Sequence, residues 1–170
     1  IIATEDKRFY HHLGVSPRGI ASAIAINLRE GRGPLSGNGG STITQQYAKT
    51  AFLTPDQTIK RKIRELIIAI KLENTMTKDE ILENYLNTIY FGRGAYGVET
   101  AAQMYFGKSV RDLTLRQSAV LASVLRSPGY YDPGLRDGNA ERLAARYRYT
   151  LRGMVSAGWA DKKLLKTGIA

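Results

Sequence analysis

The sequence predicts a mainly α-helical domain, and three observations lead there. Apolar residues recur at helical spacing along much of the chain, capping-box pairs such as Thr77 with Glu80 and Thr114 with Gln117 precede apolar runs, and no pair of alternating strands appears. The length of 170 residues suits one compact unit, 1–170, with a core of its own.

The elements follow in chain order. Residues 17–30 read as a helix with Pro17 in its first turn and Gly31 as its stop. A second helix covers 42–50. In "DQTIKRKIRELIIAIKLEN" Ile59, Ile63, Leu66 and Ile70 fall on one stripe, expected to face the core with a basic face opposite. "TKDEILENYLNTIY" places Ile81, Leu82, Tyr85, Leu86 and Ile89 on one side, and further helices are expected over 98–105, in "TLRQSAVLASVLR", and over 139–156. Two stretches break the pattern. Residues 30–40, "EGRGPLSGNGG", carry five glycines and a proline and read as a mobile loop, and "SPGYYDPGLRDGN" reads as a turn cluster before the last helix. Neither reads as a domain linker.

Composition narrows the function classes. Lys plus Arg number 25 against 15 Asp plus Glu, a net charge of +10 that favours a polyanionic partner such as nucleic acid, an anionic membrane surface or a phosphorylated substrate. Without cysteine there is no disulfide, thiolate metal site or Cys nucleophile. No apolar run approaches the ~20 residues that span a bilayer; "LIIAI" is bounded by Glu65 and Lys71. The chain begins without Met and ends at "KTGIA", which raises the expectation of a segment from a longer, membrane-anchored protein.

Three stretches could carry chemistry. In "ATEDKRFYHHLG", Glu5 and Asp6 are either early-turn acids at a helix start or a general acid or base with its neighbour. His11 and His12 lack the spaced ligands of a metal site. In "GNGGSTITQQYAKT", Ser41 and Thr42 open a helix whose free N–H groups suit phosphate, with Thr42, Gln45 or Gln46, and Lys49 along one polar face; an ordinary cap on a solvated face fits the spacing equally. In "RKIREL", Arg61 and Glu65 are either a surface ion pair or, with Lys62 and Lys49, a cationic clamp for pyrophosphate.

Taken in order, these motifs resemble the peptidoglycan glycosyltransferases, glycosyltransferase family 51: the transglycosylase module of class A penicillin-binding proteins and of monofunctional transglycosylases. "EDKRFYHHLG" matches the first family motif through Glu5, Asp6, Phe9, His12 and Gly14, "GGSTITQQYAK" the second and "RKIREL" the third. "ILENYLNTIYFGRGAYGVETAAQMYFGK" matches the fourth and "LTLRQSAVLASVLRSP" the fifth, where Gln117 stands in place of a frequent Glu. The match runs from residue 1 to about 133.

The resemblance implies a lysozyme-like, mainly α-helical globule with a small membrane-proximal jaw subdomain over roughly 15–40. It implies polymerisation of lipid II into β-1,4-linked glycan, with release of undecaprenyl pyrophosphate and inversion at C1. Glu5 would be the general base, Glu65 a second, orienting carboxylate. Ser41, Thr42, Gln45, Gln46, Lys49, Arg61 and Lys62 would bind the donor, while Asp6, Phe9 and His12 shape the cleft around Glu5. Pyrophosphate leaves without an acid catalyst but needs its charge stabilised, which accounts for the basic residues beside the acids. A divalent cation, Mg or Mn, near Glu65 is a further expectation. The implied partners are lipid II, the growing glycan, the membrane surface, moenomycin-type inhibitors and a linked transpeptidase domain, at the outer face of the bacterial cytoplasmic membrane. Two rivals differ in class. A lysozyme-like lytic glycosidase would need a protonated acid beside water, which the cationic clamp opposes. A nucleic-acid module would use the charge and "RLAARYRYTLRG", leaving the acidic and Gln-rich motifs without a role.

Overall fold

The computed structural model describes residues 1–17, 21, 25, 29, 40–54, 56, 58–166 and 168–169. Most of the expected helix over 17–30, the loop over 30–40 and most of the jaw over 15–40 lie outside the described residues. The fold is mainly helical, as expected; among the described residues the only strand-like pairing is an isolated antiparallel bridge between Tyr90 and Tyr96. The α-helices whose full span falls among the described residues are α1 (Ile2–Glu5), α2 (Ile43–Phe52), α3 (Ile59–Thr75), α4 (Lys78–Thr88), α5 (Val98–Phe106), α6 (Leu115–Val124), α7 (Pro128–Tyr131) and α8 (Asn139–Ser156). Short 3-10 turns occupy Phe9–His11, Val110–Asp112 and Lys162–Lys166. The chain divides into two compact units, one of residues 8–88 and the other of residues 1–7 with 89–170.

In the unit of residues 8–88, α2 packs against both α3 and α4. Each helix starts where a side chain satisfies free backbone N–H groups. The Gln45 N–H donates to Thr42 Oγ1 at 3.1 Å while the Thr42 N–H donates to Gln45 Oε1 at 2.8 Å. Thr58 accepts from the Arg61 N–H at the head of α3. Thr77 and Glu80 close the expected box before α4, the Thr77 N–H reaching Glu80 Oε2 at 2.7 Å and the Glu80 N–H reaching Thr77 Oγ1 at 3.3 Å. Ile43, Tyr47 and Ala48 of α2, Ala69 of α3, and Ile81 and Tyr85 of α4 are buried with Phe9.

One expectation is reversed. Ile59, Ile63 and Ile70, read with Leu66 as the core side of α3, are exposed together with Ile67, Leu66 is half-buried, and the face turned inward carries Glu65 and Ala69. The inward face is possible because Glu65 brings its own cations and Ala69 lets a neighbour approach closely. That neighbour is Gly14. A Cβ there would lie 2.8 Å from the Ala69 carbonyl oxygen, and its φ of +79° favours glycine. Gly14 is tied down further as its carbonyl accepts from Thr42 Oγ1 at 2.6 Å.

In the other unit, α6 packs on α8 around a core of Ala119, Val120, Val124, Leu143, Tyr147 and Leu151. The Thr114–Gln117 box forms as expected at the head of α6. Inside this contact the Ser123 and Thr150 hydroxyls bond each other at 2.8 Å, so both buried polar groups are satisfied. The helix expected over 139–156 forms over that span. Arg93, at φ +52°, makes a bidentate pair with fully buried Asp132, donating to its two oxygens at 2.6 and 2.8 Å. The Arg93 guanidinium first, then the Gly134 N–H, holds the Asp132 carboxyl below the usual carboxylate range against the opposing effect of burial. The short α1 lies on α8 at Gly153, where a Cβ would come within 3.0 Å of the Ala3 carbonyl oxygen. That close approach brings the end of α1 over the preceding turns of α8.

Candidate active site

Glu5 is the last residue of α1, and its side chain is only 2% exposed. Two guanidinium groups meet it unequally. Arg146 Nη2 donates to Glu5 Oε1 at 2.7 Å, and Arg126 Nη1 donates to Oε2 at 3.3 Å. Arg146 projects from α8 two turns before Gly153, so the missing Cβ of that glycine and the pairing of Glu5 belong to one packing contact. Arg126 stands on the turn after α6. A buried carboxylate without such partners would carry a large desolvation cost. Neither arginine was singled out from the sequence. They lie 121 and 141 residues from Glu5; Arg126 stands in the fifth motif and Arg146 in a basic helix, and neither setting points to Glu5.

The second cluster belongs to the unit of residues 8–88. Arg61 Nη1 donates to Glu65 Oε2 at 2.8 Å, and Lys62 donates both to Glu65 Oε1 and, at 2.9 Å, to Ser41 Oγ. Glu65 is 2% exposed while Arg61 and Lys62 are half-buried, so this is a triad built on a buried acid rather than the surface pair the spacing alone allowed. It joins Ser41, Arg61, Lys62 and Glu65, four residues of the expected site, across the head of α2 and the first turns of α3. The Arg61 Nε is buried and finds no hydrogen-bond partner among the described residues. Lys49, in the last turn of α2, is exposed.

Other expected site residues hold the scaffold. Thr42 and Gln45 are buried and form the α2 cap, with Gln45 Nε2 unpartnered among the described residues. Gln46 accepts from the Tyr85 hydroxyl at 2.9 Å. Phe9 is fully buried, under the Lys78 ammonium at 4.6 Å from its ring centre. His12 accepts the Gly14 N–H through Nδ1 at 3.2 Å, which fixes the first motif's own turn. Asp6 is buried. A group that sequence reasoning missed is Glu73, which accepts from the Thr44 hydroxyl at 2.5 Å and from Lys78 at 2.7 Å.

The donor set at Glu65 does not fit a divalent cation. Both carboxylate oxygens are taken by cationic donors, and no group of three His, Cys, Asp or Glu side chains comes together among the described residues. What the triad offers is positive charge held in place by a buried acid, which suits a phosphate oxygen.

Comparison with known proteins agrees with these motifs. A family model described as Transglycosylase matches residues 1–155. Penicillin-binding protein 1A of Aquifex aeolicus is 48% identical over 158 residues, 93% of this chain and 21% of that protein. Penicillin-binding protein 1A of Escherichia coli is 48% identical over 162 residues, 95% of this chain and 18% of its own length. Penicillin-binding protein 1F of Bacillus subtilis is 47% identical over 156 residues, 91% of this chain and 21% of that protein. The chain thus spans about a fifth of the length of these relatives.

Proposed function

The chain belongs to the transglycosylase family, and from that membership we propose that it is a peptidoglycan glycosyltransferase that polymerises lipid II. Glu5 takes the proton from the 4-hydroxyl of the acceptor's N-acetylglucosamine as that oxygen attacks C1 of the growing chain's N-acetylmuramic acid. The C1–O bond to undecaprenyl pyrophosphate breaks with its electron pair going to the leaving group, and C1 inverts from α to β. Arg61 and Lys62, joined by Lys49, stabilise the developing pyrophosphate charge, and Glu65 holds the first two in place. No metal is assigned a step, since both oxygens of Glu65 are already paired.

The observation that carries this reading is that one family match, residues 1–155, takes in both Glu5 and the Arg61–Lys62–Glu65 triad. A lipid substrate puts the reaction at a membrane surface, proposed to be the outer face of the cytoplasmic membrane. The exposed Ile59, Ile63, Ile67 and Ile70 of α3, interleaved with Lys60 and Arg64, suit such a surface. No helix among the described residues is long and apolar enough to cross a membrane. A linked transpeptidase domain is part of the proposal, and the relatives' name, penicillin-binding protein, fits it. Moenomycin-type inhibitors, which carry a phosphoglycerate beside a lipid, are expected to compete for the triad and to lose affinity in Arg61→Ala and Lys49→Ala.

The test is incubation with labelled lipid II. Polymer that lysozyme digests, absent with Glu5→Gln, supports the proposal. No polymer from the wild-type chain, or undiminished polymer from the variant, overturns it.

A further inference from the structure

We infer that the two arginines on Glu5 divide their work: Arg146 is a positioning residue that pins Oε1 so that Oε2 meets the acceptor hydroxyl, and Arg126 covers Oε2 until the acceptor displaces it. The inference rests on the reading of Glu5 as general base. Its starting point is a conflict between burial and role. A carboxylate 2% exposed cannot reach a sugar hydroxyl until a neighbour moves.

The geometry says which neighbour. Arg146 is 15% exposed, its contact with Oε1 is 2.7 Å, and its guanidinium also lies 4.8 Å from the centre of the Tyr149 ring, so it is held from two sides. Its Nε is buried and without a hydrogen-bond partner among the described residues. Swinging away would cost both the short bond to Glu5 and the contact with the Tyr149 ring. Arg126 is 37% exposed, reaches Oε2 only at 3.3 Å, and stands on a turn where water can replace its bond. The acceptor carries a pyrophosphate of its own, a stronger attraction for a guanidinium than one long contact.

The step then runs through a defined oxygen. The acceptor O–H gives its proton to Oε2, its oxygen bonds to C1, and the C1–O bond to the diphosphate breaks with the electron pair leaving on oxygen. Arg146 touches none of these atoms. It acts by keeping the carboxylate from rotating, and an error of about 1 Å in such placement can cost about 10²-fold in rate.

The experiment compares kcat and KM for lipid II polymerisation in Arg146→Ala, Arg146→Lys, Arg146→Gln and Arg126→Ala, with thermal midpoints alongside. Expected are a fall of about 10²-fold in kcat for Arg146→Ala with KM within about threefold, and partial recovery in Arg146→Lys and Arg146→Gln, which keep one donor. If Arg146→Ala does not fold, the Lys and Gln variants carry the same test, each with a kcat below wild type at unchanged KM. Arg126→Ala is expected to lose less than about tenfold. A rise in KM at constant kcat for the Arg146 variants would make Arg146 a substrate-binding group and overturn the inference. So would a loss in Arg126→Ala as large as in Arg146→Ala. These results differ from failure of the general-base reading, in which Glu5→Gln itself stays active.

Discussion

Replacing Glu5 with Gln keeps the shape of the side chain but removes its ability to take a proton and its charge for Arg146 and Arg126. Polymerisation is expected to fall by at least ~10²-fold, with lipid II binding retained, as measured by initial rate and by binding of a non-reactive donor analogue. Gly14 makes a separate prediction in the same motif. At φ +79° a Cβ would meet the Ala69 carbonyl oxygen at 2.8 Å, so Gly14→Ala combines a left-handed backbone with a clash against backbone. The conformation alone costs about 1–2 kcal/mol, read as a lower midpoint in urea. Roles within this motif therefore differ, with Glu5 proposed for the chemistry while Phe9, His12 and Gly14 secure the turn that follows it.

The contact of α1 with α8 turns a missing side chain into a feature of the candidate site. Gly153→Leu would drive a branched side chain into Ala3, and overpacking of that kind costs about 1–3 kcal/mol. Because the displaced helix ends at Glu5, polymerisation is expected to drop more than the thermal midpoint implies, which paired rate and melting measurements would reveal. The Arg93–Asp132 pair predicts a pH dependence instead. The Asp132 carboxyl is held below its ordinary value in the folded state, with Arg93 the main cause. The folded state therefore binds fewer protons than the unfolded one in this range, and the pair's stabilisation is present above the unfolded value of about 4. It is lost as pH falls through the depressed folded value. Urea midpoints measured from neutral pH downward should fall more steeply below pH ~4 in the wild type than in Asp132→Asn; equal slopes would remove the pair from the acid response.

For the chain as a whole, the net charge of +10 and the exposed isoleucines of α3 point to a surface that is both anionic and apolar. Binding to vesicles containing anionic lipid is expected to weaken as salt rises, since the screening length shrinks from about 10 Å at 0.1 M to about 3 Å at 1 M. Ile63→Glu with Ile67→Glu should weaken it further at any salt. Their thermal cost should stay within about 0.5 kcal/mol each, because both side chains are already in solvent. Unchanged vesicle binding in that double variant would assign the stripe to another partner.

The helical class, the Thr-led caps at Thr42, Thr77 and Thr114, the span of the last helix and the family were all legible in the residues, because caps and periodicity are local and act within a few positions. Among the motif residues, Arg61 and Glu65 were legible as a pair because they stand four apart on one helix, while Glu5 was legible only without its partners. The face of α3 was misread. Three isoleucines and Leu66 outweigh an alanine and a glutamate in any count of hydrophobicity, yet a small side chain admits a neighbour and a paired acid can be buried, so the tertiary contacts turned the three isoleucines outward. Gln45 and Gln46 were indistinguishable in sequence; capping committed the first to the backbone of Thr42 and packing gave the second to Tyr85. Arg126 and Arg146 had no signature at all as partners of Glu5. Their contacts close loops of more than a hundred residues, and nothing in a local stretch can specify which of many arginines ends beside a given acid until helices α1 and α8 meet at Gly153.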